Sequence, residues 1–195
     1  MSFARPPEPL YASAVASELG DLPGAPVGIG LCDALLGTAE LLRSRRPDLL
    51  VFIGTAGALR GSGLAIGAVV QVHTVRLGDA ALALGLGYSP RHPEPLLASA
   101  LPGIPAVDVV ANLAITTDVA LANRYAVFSK VEHMEAYGFA LACTRANVPW
   151  ACVLAITNEV GPEAHAQWKK NRDACEASAR LSARAAAAGR ISLRS

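Results

Sequence analysis

Leu49-Leu50-Val51-Phe52-Ile53-Gly54-Thr55-Ala56-Gly57-Ala58-Leu59 is the stretch that decides the fold. Its first five residues are apolar without alternation, as a strand covered on both faces requires. The small residues from Gly54 to Gly57 then read as a loop at the carboxyl end of that strand. Upstream, Asp33 to Arg46 is a helix with Leu35, Leu36, Ala39 and Leu42 on one face, ended by Pro47-Asp48. Downstream, Gly67 to Val75 is β-rich and Trp150 to Thr157 is a second strongly apolar strand. Glu163 to Ala188 is a long helix whose Ala185 to Ala188 run favours helix intrinsically.

Between these landmarks, Val107–Val110 and Leu113–Thr116 read as short strands. Asp118 caps a helix through Phe128, Lys130 to Glu132 is extended, and Met134 to Ala146 is helical. Residues 78–105, rich in Gly, Pro and Leu, carry no assignable element. At the start, Met1 to Arg5 reads as a short strand stopped by Pro6-Pro7. Glu8 opens a helix through about Glu18, and Val27 to Gly30 forms another short strand. Strands alternating with helices predict an α/β layered domain with a parallel or mixed sheet, a single domain over residues 1–195.

Composition narrows the function. Of 195 residues, 52% are hydrophobic and 17% charged, enough apolar material for a core and too much for disorder. Lys+Arg is 17 against Asp+Glu 16, so no electrostatic footprint for nucleic acid or anionic lipid follows. Mean hydropathy is +0.36, yet no run reaches the ~18 apolar residues of a spanning helix. The surplus, mostly Ala and Leu, reads as a buried core plus an oligomer interface. Cys32, Cys143, Cys152 and Cys175 form no C-x-x-C pair and read as free thiols of a reducing compartment. With no apolar segment at the N-terminus, the expected location is cytoplasmic. His73, His92, His133 and His165 are scattered without metal-ligand spacing, so neither metal nor cofactor is expected. Gly28-x-Gly30 lacks the third glycine of a dinucleotide fingerprint, and no G-x-S-x-G elbow is present.

In α/β sheets ligands sit at the carboxyl ends of strands, and four such ends carry chemistry. They are Glu8, Gly54-Thr55-Ala56-Gly57, His133-Met134-Glu135 and Asn158. One carboxylate could deprotonate water, glycines admit a ligand close to backbone N–H groups, a second carboxylate accepts from a diol, and an amide both donates and accepts. The set suits cleavage of a polar sugar conjugate. Each part alone also has a plainer reading: a packing turn, a carboxylate at a helix start, or a solvated Glu132 or Glu135. His133 and Tyr137 read first as packing residues.

The 49–59 stretch, followed by Ile66-Gly67-Ala68-Val69-Val70, resembles the nucleoside phosphorylase/nucleosidase superfamily. Val131-Glu132-His133-Met134-Glu135-Ala136 resembles its ribose-binding V-E-(x)-M-E-(G/A) motif. Val148-Pro149-Trp150, with Ala155-Ile156-Thr157-Asn158-Glu159-Val160-Gly161-Pro162 and Trp168, resembles its V-P-F…A-I-S-N…V-G-P…W segment. The extra residue in V-E-x-M-E and the Asn after the strand are most similar to futalosine hydrolases, which cleave a hypoxanthine nucleoside in a menaquinone route. The match covers roughly residues 27–175, weakly between 76 and 106.

The resemblance implies a three-layer α/β/α sandwich around a mixed, partly barrel-like sheet, with a shortened N-terminus. It implies a hydrolytic N-ribosidase acting on a purine nucleoside, a 6-oxopurine by preference, without cofactor and as a homodimer. Glu135 would bind the ribose hydroxyls and Met134 pack under the sugar. Thr55, Ala56 and Gly57 would line the sugar and nucleophile side. Asn158 stands where adenine nucleosidases carry an Asp, and its NH₂ would donate to N7. Glu8 would activate water. Two departures matter. The hairpin usual between the first helix and second strand is missing, and Glu163-Ala164-His165 replaces a basic cluster after Pro162. Two alternatives stay open, a phosphate-dependent phosphorylase and a non-catalytic nucleoside-binding homologue.

Overall fold

A computed structural model describes residues 9–91 and 93–192. The elements run β1 (Leu10–Ser13), α1 (Ala16–Leu19), β2 (Gly24–Pro26), α2 (Leu31–Ser44), β3 (Leu50–Ala58), β4 (Val69–Leu77) and α3 (Ala80–Ala83). They continue with β5 (Leu96–Leu97), β6 (Ala106–Ala111), α4 (Val119–Ala126), β7 (Val131–His133), α5 (Ala136–Arg145), β8 (Trp150–Glu159) and α6 (Ala164–Ser192).

The sheet is mixed and closes on itself. β8 pairs in parallel with β3 and antiparallel with β4. β3 also pairs with β7, β7 with β6, and β6 with β4, so five strands form a ring. β1 and β2 extend it from β3 as parallel strands. The expected sandwich around a partly barrel-like sheet is therefore the architecture observed.

Both faces of the central strands are apolar, and each face has its own helical layer. Leu50 and Phe52 of β3 and Leu154 and Ile156 of β8 face Ala34 and Leu42 of α2 and Phe139 and Ala140 of α5. The alternate residues Val51, Ile53, Val153 and Ala155 face Leu19 of α1 and Cys175, Ala179 and Ala183 of α6. Burying a Leu or Phe is worth about 1.5–3 kcal/mol, so these two layers dominate the stability. The small α6 residues recur at helical spacing and let the helix lie close to the sheet. Gly138 of α5 does the same for α2: a side chain there would strike the Leu31 carbonyl.

The structure corrects several boundaries. Residues 10–13 form a strand and 16–19 a one-turn helix, in place of a helix from Glu8 to Glu18. The strand expected over Met1–Arg5 lies outside the described residues. Gly54–Gly57 is strand, paired to β8 throughout with a bulge at Ala56/Gly57. Cross-strand hydrogen bonds override the weak strand propensity of glycine there. Val27–Gly30 is not a strand; the strand precedes it. Leu113–Thr116 is loop, and only 106–111 is strand. No helix among the described residues is long and apolar enough to cross a membrane.

Candidate functional site

A cavity of about 420 Å³ opens at the carboxyl ends of β1, β3, β7 and β8, walled by the first half of α6. That volume suits a nucleoside-sized ligand. Thr55, Ala56, Gly57, Met134, Glu135 and Asn158 all line it. Glu8 lies outside the described residues. Among the described residues, the carboxylate that enters the cavity from the N-terminal segment is Glu18.

Glu18 is reached through local geometry. α1 is a single turn, and Glu18 at its third position folds back so that one oxygen, Oε2, accepts from Ala14 N at 3.0 Å and Val15 N at 3.3 Å. This satisfies donors that a helix start leaves unpaired. Oε1 accepts no protein hydrogen bond among the described residues. Glu18 is 7% exposed. Burial, reinforced by the charges of Glu135 and Glu176 and opposed by the two N–H bonds, lifts its pKa from 4.5 to about 7. A carboxylate so placed takes a proton readily near neutrality. Arg180 of α6 holds the turn from below, donating to the Ser17 and Glu18 carbonyls at 2.9 and 3.2 Å.

Glu135 stands where β7 gives way to α5. Its Oε1 accepts from Gly30 N at 2.7 Å, so this carboxylate caps the N-terminus of α2 from 105 residues away, where the helix dipole favours negative charge. The close α2–α5 approach at Gly138 makes that contact reachable. His133 Nδ1 accepts from Glu135 N and Ala136 N, both at 3.0 Å. A nitrogen accepting two N–H bonds carries no proton, so its 3.3 Å approach to Glu135 Oε2 is proximity rather than an ion pair. Burial pulls the His133 pKa down, opposed by Glu135, which keeps the ring neutral. Glu132 also lines the cavity, its carboxylate accepting from Asn112 Nδ2 at 2.8 Å and Thr116 N at 2.9 Å; it anchors the loop that carries Ile115 to the cavity.

Asn158 ends β8. Thr157 Oγ1 donates to its Oδ1 at 2.9 Å, and its Nδ2 donates to the Glu159 carbonyl at 3.0 Å. The amide orientation is thereby set, and the second Nδ2 hydrogen is left for a ligand. Gly57 leaves room for this amide: a Cβ there would come within 2.9 Å of Nδ2. On α6, His165, Trp168, Arg172 and Glu176 share one face and all line the cavity. Trp168 Nε1 donates to Thr55 Oγ1 at 3.2 Å. His165 stacks on the indole, and the Arg172 guanidinium lies 5.2 Å from its centroid.

Sequence reading missed Glu18, Trp168's tie to Thr55, and the α6 stripe. The signal for Glu18 was present as a carboxylate just after the apolar run Leu10-Tyr11-Ala12, but that run is short. Among the described residues no group of three or more His, Cys, Asp or Glu side chains could hold a metal ion. Cys143, Cys152 and Cys175 are buried and Cys32 is exposed, all as free thiols.

No family model matches the chain. It is 29% identical over 156 residues to a 5′-methylthioadenosine/S-adenosylhomocysteine nucleosidase of Chromohalobacter salexigens. That match covers 70% of this chain and 66% of the relative, just short of two thirds of its length. Among solved structures, the nucleosidase of that type from Colwellia psychrerythraea, in complex with adenine, superposes with a TM-score of 0.74. It is 18% identical, with 90% of this chain and 92% of that one covered. Futalosine hydrolase of Helicobacter pylori superposes with a TM-score of 0.77 at 13% identity, covering 90% and 95%. The fold is that of the nucleoside phosphorylase/nucleosidase superfamily, and these relatives and neighbours are nucleosidases.

Proposed function

We propose that the protein is a hydrolytic nucleosidase that cleaves the N-glycosidic bond of a purine nucleoside. The observation that carries this reading is the convergence of Glu18, Glu135 and Asn158 on one cavity from three strand ends. Glu135 accepts from the ribose hydroxyls through the lone pairs that Gly30 leaves free. Met134 packs under the sugar, and Thr55, Ala56 and Gly57 line its other side. As the C1′–N bond lengthens, positive charge grows on the sugar, and the carboxylates around it stabilise that charge. Glu18 takes a proton from the attacking water. Asn158 donates to N7 of the departing base. An amide has no proton to give up, so this favours a 6-oxopurine of the futalosine type over adenine.

One further reading has its own support, and another is disfavoured. An adenine nucleoside substrate is favoured by the Chromohalobacter and Colwellia proteins, whose names specify 5′-methylthioadenosine. A phosphorylase is disfavoured by charge: among the described residues, Glu18, Glu132, Glu135 and Glu176 line the cavity against Arg172 as the one Lys or Arg, a poor setting for a phosphate dianion. The test is a panel of inosine-, adenosine- and futalosine-type nucleosides with and without phosphate. Release of free base and ribose without phosphate supports hydrolysis; ribose 1-phosphate supports the phosphorylase. Binding without turnover supports a non-catalytic homologue. The same reading makes the protein a cytoplasmic homodimer. Ile29 and Ile115 line the cavity yet are 63% and 46% exposed, with Leu113 nearby at 71%, an apolar rim suited to a second copy.

A further inference from the structure

His133 is the residue inserted into the ribose motif, and its two ring nitrogens do different things. Nδ1 is used up by the Glu135 and Ala136 N–H groups. The proton of the neutral ring therefore sits on Nε2. The side chain is 3% exposed, and Phe52 holds the ring edge-on at 5.5 Å. Nε2 nevertheless donates to no protein acceptor among the described residues, while His133 lines the cavity.

Gly54 shows where Nε2 points. A Cβ built on Gly54 would lie 3.2 Å from His133 Nε2 and 3.5 Å from Glu18 Oε1. The donor and the free carboxylate oxygen thus face the same gap, from β7 and from α1, and no direct hydrogen bond or ion pair joins them. Glycine at 54 keeps a side chain out from between them; a Cβ there would also lie 3.0 Å from Phe52 Cε1. His133 and Glu18 both line the cavity and offer it one donor and one acceptor.

We propose that His133 Nε2–H and Glu18 Oε1 together hold the nucleophilic water over Gly54, with His133 as the donor that aims it. This deepens the hydrolytic reading above and rests on it. The water oxygen accepts from Nε2–H, and one water hydrogen is donated to Oε1. A lone pair is left directed at C1′. As the C1′–O bond forms, the water proton passes to Glu18 and the C1′–N bond breaks. Its electron pair leaves on the purine, which is protonated from solvent. His133 keeps its proton throughout.

The test uses His133→Asn, which keeps an acceptor at the Nδ1 position for the two N–H groups but has nothing at Nε2. Base release is followed for wild type and variant on the best nucleoside of the panel. The expected result is a melting temperature and KM close to wild type with kcat reduced about 10- to 100-fold, the pattern of an interaction made mainly in the transition state. A folded His133→Asn protein with kcat within about threefold of wild type overturns the proposal. Should that variant not fold, Gly54→Ala decides, because its methyl would lie 3.2 Å from His133 Nε2 and 3.5 Å from Glu18 Oε1, with Phe52 Cε1 at 3.0 Å having to give slightly. A large kcat loss at steady KM is expected, and an unchanged kcat overturns the proposal. If wild type itself releases no base from any nucleoside, the hydrolytic reading fails and this proposal with it. If wild type turns over and Glu18→Gln does not, while His133→Asn is unchanged, only the role of His133 is lost.

Discussion

Replacing Glu18 with Gln should make the protein slower and more stable at once. Glu18 is buried, and its pKa in the folded protein is about 7 against a reference of 4.5. The folded state therefore binds this proton more tightly than the unfolded chain. Stability linked to Glu18 is fully present below pH ~4.5 and is lost as pH rises through about 7. The loss is about 3 kcal/mol at pH 8, from a difference of roughly 2.5 units at about 1.4 kcal/mol each. It falls to about 1 kcal/mol near pH 5. Gln is never charged, and its carbonyl can still accept from Ala14 N and Val15 N. Glu18→Gln should thus gain on the order of 1–3 kcal/mol over wild type at pH 8 and much less at pH 5. In activity it should lose roughly 10²- to 10⁴-fold, and wild-type kcat/KM should fall on the acid side below about pH 7, where Glu18 is protonated. Urea unfolding at pH 5 and pH 8, with base release across pH 5–9, measures all three. A variant no more stabilised at pH 8 than at pH 5 would refute the burial argument. Retained activity would remove Glu18 from the chemistry.

Further outcomes follow from the same geometry. Glu135→Gln should weaken ribose binding by about 1.5–3 kcal/mol, the scale of a hydrogen bond to a charged group; unchanged kcat/KM would exclude it from the site. Asn158→Asp should shift preference toward adenine nucleosides and add an acid-side pH dependence, while Asn158→Ala should cost about 1–3 kcal/mol in kcat/KM. A wild type that prefers adenine nucleosides, or an Ala variant equal to wild type, would make Asn158 a structural strand end. Light scattering at micromolar concentration should give the mass of a dimer, and a monomer would leave the apolar rim at Ile29, Leu113 and Ile115 without its proposed partner.

The parts of the fold legible in the sequence are those whose signal is local. Leu50 to Ile53 and Trp150 to Ile156 are apolar on both faces, and each face meets its own helical layer. Gly54 to Gly57 misled because glycine argues against a strand on propensity. What keeps it extended is pairing to β8, about 100 residues away, and the small residues there make room for Asn158 and for the approach of His133. Glu18 was hidden for a related reason. β1 is four residues long and ends in Ser13, so its pattern is too short to register, and Pro6-Pro7 suggested an earlier helix start.

The site itself depends on contacts that no local pattern encodes. Glu135 was recognisable as a motif residue, but not as the cap of α2, since that role needs Gly30 N–H brought across 105 residues. Trp168 was visible as a family tryptophan, but its bond to Thr55 spans 113 residues. His133 is the sharpest case. Spacing and residue type made it a packing residue, and through Nδ1 it is one, since it ties down the start of α5. The closed ring then sets β7 beside β3, and α1 brings Glu18 to the same gap over Gly54. The free face of an apparently structural histidine is thereby turned toward a carboxylate from the opposite end of the chain. One ring can hold the fold with one nitrogen and orient water with the other only because those two nitrogens face different neighbours, which the topology alone determines.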